Sequence, residues 1–142
     1  MHSKQLNQLS QRIIGCAIEV HRHLGPGLLE SVYEEALCIE LKSASICYSR
    51  QQPVPVIYKN YQLSMPLKLD LLVENEIIVE LKAIDALLPV HEAQLVSYLR
   101  LTQRTLGLLI NFNVVVLKSG VRRKVLNFGA APSLSEVRRI AP

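Results

Sequence analysis

The chain reads as an α/β or α+β sandwich, helices packed on a mixed sheet in the order α-α-β-β-β-α-β-β. Three observations predict it. Apolar residues recur at helical spacing through residues 4–43. Two apolar runs, ending at Val73 and beginning at Ile77, are separated by the polar triplet Glu74-Asn75-Glu76, the pattern of a hairpin. A third helical segment then leads into Leu106–Asn111, a short and almost continuously apolar run of the kind found in strands covered on both faces.

Each element follows from local chemistry. Leu6, Leu9, Ile13, Cys16, Ala17, Val20 and Leu24 predict an amphipathic helix over about 4–24, stopped by Gly25-Pro26-Gly27. A second helix is expected from Leu28 to Ser43, with Val32, Tyr33, Ala36, Leu37, Ile39 and Leu41 on its apolar side. Residues 46–58 are rich in β-branched residues and tyrosine, but Pro53 and Pro55 point to an edge or bulged strand. Lys59-Asn60 fits a two-residue turn into Tyr61-Gln62-Leu63. The acidic hairpin spans about 66–73 and 77–83. A loop over Asp85–Pro89 precedes a helix at about 90–103. Val114–Leu117 and Arg122–Asn127 are expected to form a last hairpin around Lys118-Ser119-Gly120, and the tail from Gly129 is expected either to be loose or to hold one short helix at Ser133–Arg139.

With 142 residues, 49% of them hydrophobic and 20% charged, the chain is expected to form one domain over 1–128 with a C-terminal tail over 129–142. No apolar run approaches the ~20 residues of a membrane helix, so no membrane partner is expected. Met1-His2-Ser3-Lys4-Gln5 is polar and does not resemble a signal peptide. Cys16, Cys38 and Cys47 are odd in number and lack C-x-x-C spacing, which fits free, mostly buried thiols in a reducing cytoplasm. Net charge is +4, but residues 90–142 hold eight Lys and Arg against two acids, densest at Arg122-Arg123-Lys124. Such asymmetry suits a polyanionic partner, although basic runs are also common on solvated strands.

The acidic hairpin carries the chemistry. Glu80 and Lys82 are two apart on a strand and share a face. If residues 74–76 form a three-residue loop, Asp70 stands opposite Glu80, with Cβ atoms roughly 4.5–5.5 Å apart. Two carboxylates that close repel unless a cation or a shared proton lies between them. Hard cations such as magnesium take one or two carboxylates plus waters and substrate phosphate. Asp70 and Glu80 would supply the carboxylates, and the Leu81 carbonyl a further oxygen. Lys82 would orient the attacking water and stabilise charge developing on phosphorus. The bland alternative is an exposed Glu-x-Lys alternation, a triplet common by chance. Asp70 weighs against it, because Asp is depleted inside strands.

The third helix adds to this. His91, Gln94 and Tyr98 fall at i, i+3 and i+7 and share one face. Gln94 could hold a water or phosphate oxygen and Tyr98 donate to a phosphate; packing alone would also explain them. Glu30 in the first turn of the second helix suits the helix dipole. It also borders the stripe of Tyr33, Leu37 and Leu41, from which a carboxylate could reach the metal. His21 and His23 do not share a face and give no zinc spacing.

Gly27-Leu28-Leu29-Glu30-Ser31-Val32-Tyr33 matches the motif of the GxxExxY protein family. The resemblance runs through Arg12–Gly15, Glu19–His21, Leu24–Gly27, the Asp70 and Glu80-Leu81-Lys82 strands, Pro89–Leu95, Tyr98–Arg100 and Gly107–Phe112, covering about residues 8–127. That family is similar to the PD-(D/E)XK nuclease superfamily, which implies a restriction-endonuclease-like core. By the same resemblance Asp70 is the metal-binding Asp, Glu80 the second acid, Lys82 the lysine, Glu30 the acid from the preceding helix, and Gln94 and Tyr98 the Q-x-x-x-Y pair of recombination-helicase nucleases. The proline that often precedes the first Asp is replaced by Leu69. The four cysteines of the iron–sulfur relatives are not matched.

The expected function is a magnesium- or manganese-dependent nuclease that hydrolyses phosphodiester bonds in DNA with a metal-activated water. Homodimerisation would suit the cutting of two strands. The alternative on the same fold is a catalytically inactive nucleic-acid-binding or assembly module. A different phosphorylated substrate is less favoured, because no Gly-rich phosphate loop is present.

Overall fold

The computed structural model describes residues 1–127. The tail from Gly129 and the helix expected at Ser133–Arg139 lie outside the described residues. Helix α1 (Ser3–Leu24) is followed by α2 (Glu30–Ser43). The link needs its glycines: Gly25 and Gly27 have φ of 66° and 97°, in the left-handed region that a Cβ disfavours. Tyr33 fixes this turn from below. Its fully buried hydroxyl donates to the Gly25 carbonyl at 2.5 Å and accepts from the Leu28 N–H at 3.1 Å. Its ring stacks on Phe112 with centroids 4.5 Å apart. The tyrosine of the G-x-x-E-x-x-Y pattern is therefore a structural anchor. On α2 the inward places go to Tyr33, Glu34, Leu37, Cys38 and Leu41, whereas Val32 and Ile39 face solvent.

Seven strands follow: β1 (Tyr48–Val54), β2 (Ile57–Tyr58), β3 (Tyr61–Gln62), β4 (Leu67–Val73), β5 (Ile77–Lys82), then helix α3 (Pro89–Thr102), β6 (Leu106–Asn111) and β7 (Val121–Val125). The main sheet has the order β1-β4-β5-β6-β7. The β5–β6 pair is parallel and the other pairs are antiparallel. A parallel pair requires a crossover, and α3 provides it. As the prolines predict, β1 lies at an edge. The segment expected as one strand over 46–58 instead breaks after Val54, and β2 and β3 form a separate two-stranded sheet.

Alternation along the central strands makes two cores. Leu71, Val73, Ile77, Val79, Leu81, Leu106, Leu108 and Ile110 meet α1 and α2 on one face. Leu69, Leu72, Ile78 and Leu109 meet Leu95 and Leu99 of α3 on the other. The sandwich is therefore three-layered, with the sheet between α1–α2 and α3.

The final hairpin expected from Val114–Leu117 and Arg122–Asn127 does not form. Val115 and Val116 are exposed, Leu117–Gly120 is a 3-10 turn with Leu117 in the core, and β7 returns to pair with β6. The reason is anchoring. The Val114 carbonyl lies 2.7 Å from His21 Nε2, and Gly120 packs so tightly that a Cβ there would stand 2.2 Å from the Asn111 carbonyl oxygen. The basic run on β7 is also engaged internally: Lys124 pairs with Glu92 at 2.9 Å, and Arg123 donates to the side chain of Asn7. Of the three cysteines, Cys38 is buried, Cys16 half-buried and Cys47 exposed, contrary to the expectation of mostly buried thiols. No helix among the described residues is long and apolar enough to cross a membrane.

Tyr33→Phe is expected to lower the free energy of unfolding by about 1–2 kcal/mol, because it strands the Leu28 N–H and the Gly25 carbonyl while keeping the ring stack. Urea titration is the check, with a lower midpoint and an unchanged slope as the expected result.

Candidate active site

The β4–β5 ladder runs through Val73↔Ile77, Leu72↔Ile78 and Leu71↔Val79, then stops. Asp70 and Glu80 are the next facing residues, so the three-residue loop sets the register the sequence predicts. In place of peptide–peptide bonds, side chains cross the gap. The Asp70 N–H donates to Glu80 Oε1 at 3.2 Å, and the Leu81 N–H donates to Asp70 Oδ2 at 2.8 Å. Each carboxyl thus takes up a peptide donor that the ended ladder would leave unpaired.

The same position is irregular on the other side of β4. The β1 register passes from Arg50↔Leu71 to Gln52↔Leu69, and Gln51, between them, has φ of 52°. Leu69 packs on the α3 side and Leu71 on the α1–α2 side, so the strand shifts its facing at Asp70. Glu34 secures this irregularity from α2. It is buried and accepts from Arg50 Nε and Gln51 Nε2, both at 2.7 Å.

Leu81 and Lys82 divide their peptide groups between neighbours. The Lys82 carbonyl accepts from the Phe112 N–H at 2.9 Å, on the β6 side. The peptide groups of Leu81 therefore face β4, where its N–H already meets Asp70. Its carbonyl oxygen opens toward the same gap. Asn111 holds the chain beyond Lys82. Its Oδ1 accepts from the Ile84 N–H at 3.1 Å and its Nδ2 donates to the Ile84 carbonyl at 2.9 Å.

Electrostatics link the remaining residues. Glu80 is 5% exposed, and its pKa is pushed up to about 9 by burial and then by the negative charge of Asp70. Glu30, open to solvent as a residue, has its carboxyl raised by partial desolvation and then by Asp70, with Lys82 pulling it down. It is therefore within electrostatic reach of both. The Tyr98 hydroxyl is raised by burial and then by Glu80, and it accepts from Gln94 Nε2 at 3.0 Å. Lys82, His91, Gln94 and Ser97 line an open hollow of about 500 Å³ beside the strand end.

The structure therefore brings Asp70, Glu80, Leu81 and Lys82 together, with Glu30 facing them from α2 and Gln94–Tyr98 from α3. Glu34 and Asn111 also belong to this assembly, although no motif in the sequence marks them. An acid four residues after Glu30, inside an apolar stripe, was the available signal for Glu34. An amide closing an otherwise apolar strand was the signal for Asn111.

A sequence model of the PD-(D/E)XK nuclease superfamily matches residues 7–124. The chain belongs to the PD-(D/E)XK nuclease superfamily. No curated protein and no solved structure matches it. Among the described residues, three helices and a five-stranded mixed sheet make the restriction-endonuclease-like arrangement of PD-(D/E)XK proteins. PD-(D/E)XK enzymes are in general nucleases, which makes nucleic acid the substrate class, and they typically work with divalent metal ions.

The residues present fit such an ion. Among the described residues no three His, Cys, Asp or Glu side chains converge as a closed cage. A cage is not what magnesium needs, because it keeps waters and takes few carboxylates. Two neighbouring acids, one of them buried with its pKa raised, beside a peptide oxygen, are hard donors whose charge a divalent cation would balance.

Glu80 also sets a pH dependence for the metal-free fold. Its unfolded-state pKa is near 4.5 and its folded value about 9. Between the two, unfolding releases a proton, so stability is full below the lower value and falls as pH rises toward the upper one. In EDTA, the melting temperature is expected to fall from pH 5 to pH 9. Glu80→Gln should flatten that slope and raise the midpoint at neutral pH by on the order of 5 °C. Calorimetry across that range is the check.

Proposed function

We propose that this PD-(D/E)XK protein, of the GxxExxY type, is a magnesium- or manganese-dependent nuclease that hydrolyses phosphodiester bonds in DNA, with residues 1–128 as its catalytic domain. The observation that carries the reading is the Asp70–Glu80 pair, Glu80 buried and Asp70 half-buried, at the point where β4 and β5 part. Structural acids are normally neutralised by a cationic partner or left in solvent. This pair instead raises the pKa of one member and sits beside a lysine and an open hollow.

Asp70, Glu80 and the Leu81 carbonyl would hold the ion, with Glu30 reaching it through a water. When bound, the ion supplies charge neutralisation on the phosphate and a water that ionises near neutral pH. The protein's own groups do the rest. Lys82 orients the attacking water and stabilises charge on the phosphoryl oxygens as the new oxygen–phosphorus bond forms. The bond to one ester oxygen breaks, and that oxygen takes a proton from solvent. Because the Tyr98 oxygen already accepts from Gln94, its own proton is directed away from that amide and can meet a phosphate oxygen. Glu34 and Asn111 position the two strand ends. Cutting both strands of a duplex would take two copies, for which a two-fold homodimer is the simplest arrangement.

Asp70→Asn and Lys82→Ala are each expected to lower the cleavage rate of a labelled oligonucleotide by at least about 10²-fold, with unchanged far-UV circular dichroism. Glu30→Gln is expected to cost about tenfold. EDTA should abolish cleavage, and added magnesium or manganese should restore it. Salt-sensitive binding without cleavage under any divalent ion would favour the non-catalytic module instead.

A further inference from the structure

The small β2–β3 hairpin stands apart from both cores. Ile57, Tyr58, Tyr61 and Gln62 are all exposed, Tyr58 at 59% and Tyr61 at 73%. Leu63 and Met65 continue the apolar surface, Met65 at 77%. The base is closed by the Leu63 N–H donating to the Val56 carbonyl at 2.9 Å, and the turn at Lys59 has φ of 54°. A two-stranded hairpin with no core contact is marginal in water. Exposed aromatic surface on such a projection points to a contact made with something else.

Three features say what. Tyr58 and Tyr61 are direct cross-strand partners, so their rings share one face of the hairpin. Lys59 Nζ lies 5.5 Å from the centroid of the Tyr58 ring, adding a cation to the aromatic face. Between Gln51 and Leu69 the chain contains no acid, while Lys59 and Lys68 are basic. The third feature is place. The β1–β4 ladder ends at Val54↔Leu67, where the hairpin leaves the sheet. Asp70 is three residues along β4 from that point, about 10 Å at strand rise. The hairpin therefore leaves the sheet on the side of Asp70 where β4 and β5 have parted.

We propose that the β2–β3 hairpin is a stacking platform for unpaired nucleic-acid bases, holding a single-stranded segment beside the Asp70–Glu80 gap. The inference rests on the nuclease reading above and adds the form of the substrate. Aromatic faces stack on any base, and a neighbouring cation with no acid nearby suits the phosphates between them. Within a duplex both faces of an interior base are already stacked, so this platform selects unpaired strand, as found at ends, flaps and junctions.

The test is fluorescence anisotropy in EDTA, with a fluorescein-labelled oligothymidylate and a labelled duplex of equal length. Both tyrosines are exposed, so the variants should melt as the wild type does. The double variant Tyr58→Ala/Tyr61→Ala is expected to bind the single strand at least about tenfold more weakly, with a smaller loss on the duplex. Tyr58→Phe/Tyr61→Phe should stay within about twofold of the wild type. The chain has no tryptophan, so Tyr58→Trp introduces a unique fluorophore whose emission should be quenched by the single strand. Asp70→Asn should show the reverse pattern, losing cleavage while keeping this binding.

Single-strand binding by the double alanine variant that equals the wild type would overturn the proposal, as would an equal loss on the duplex. So would a hairpin effect confined to anionic vesicle binding or to self-association. If the wild type cuts and binds DNA while the double variant is indistinguishable from it, only the platform fails. If the wild type neither cuts nor binds, the nuclease reading fails with it.

Discussion

Two acids meet where a pair of strands stops pairing, and the architecture of this end of the molecule follows from that meeting. The Asp70 and Glu80 carboxyls accept peptide N–H groups across the β4–β5 gap. Those bonds keep the parted strands at a fixed distance without closing them. The cost is electrostatic, since one member is buried and must hold a proton near neutral pH when no cation is present. A buried acid beside a second carboxylate costs stability, as groups at functional positions commonly do.

The layers on either side keep the gap open. From the α2 side, Glu34 ties Arg50 and Gln51 at the place where β1 bends away from Asp70. Tyr33 locks the glycine turn that sets where α2 begins, and hence where Glu30 stands. From the α3 side, Leu95 and Leu99 seat the helix on the sheet, which leaves Gln94 and Tyr98 over Glu80. Close packing matters here: Gly107 lies under Leu95, where a Cβ would stand 2.7 Å from Leu95 Cδ1 and force that side chain to shift. Neither helix contributes only chemistry or only packing.

Much of this was legible in the chain. Helix positions, the edge character of β1, the acidic hairpin and its register followed from apolar spacing, two prolines and a three-residue loop. The Asp70–Glu80 facing relation came from counting residues. The misread parts share one cause. Val114–Leu117 has strand-like composition, yet tertiary anchors at His21 and Gly120 hold it as an irregular crossing. Arg122–Lys124 reads as a free basic run, yet Glu92 and Asn7, remote in sequence, engage two of its members. Glu34, which no motif marks, gains its role only when Arg50 and Gln51 are brought to it.

By itself the sequence determined the periodicities, the breakers and the loop length, because these act over a few residues and depend on local geometry alone. It therefore determined which acids and which lysine could share a strand pair. Only the tertiary structure decided that the ladder ends at these acids, that burial raises Glu80, and that the tyrosine hairpin forms a sheet of its own, exposed to solvent. Those outcomes depend on desolvation and on contacts between segments far apart in the chain. Such contacts exist only once the layers have packed.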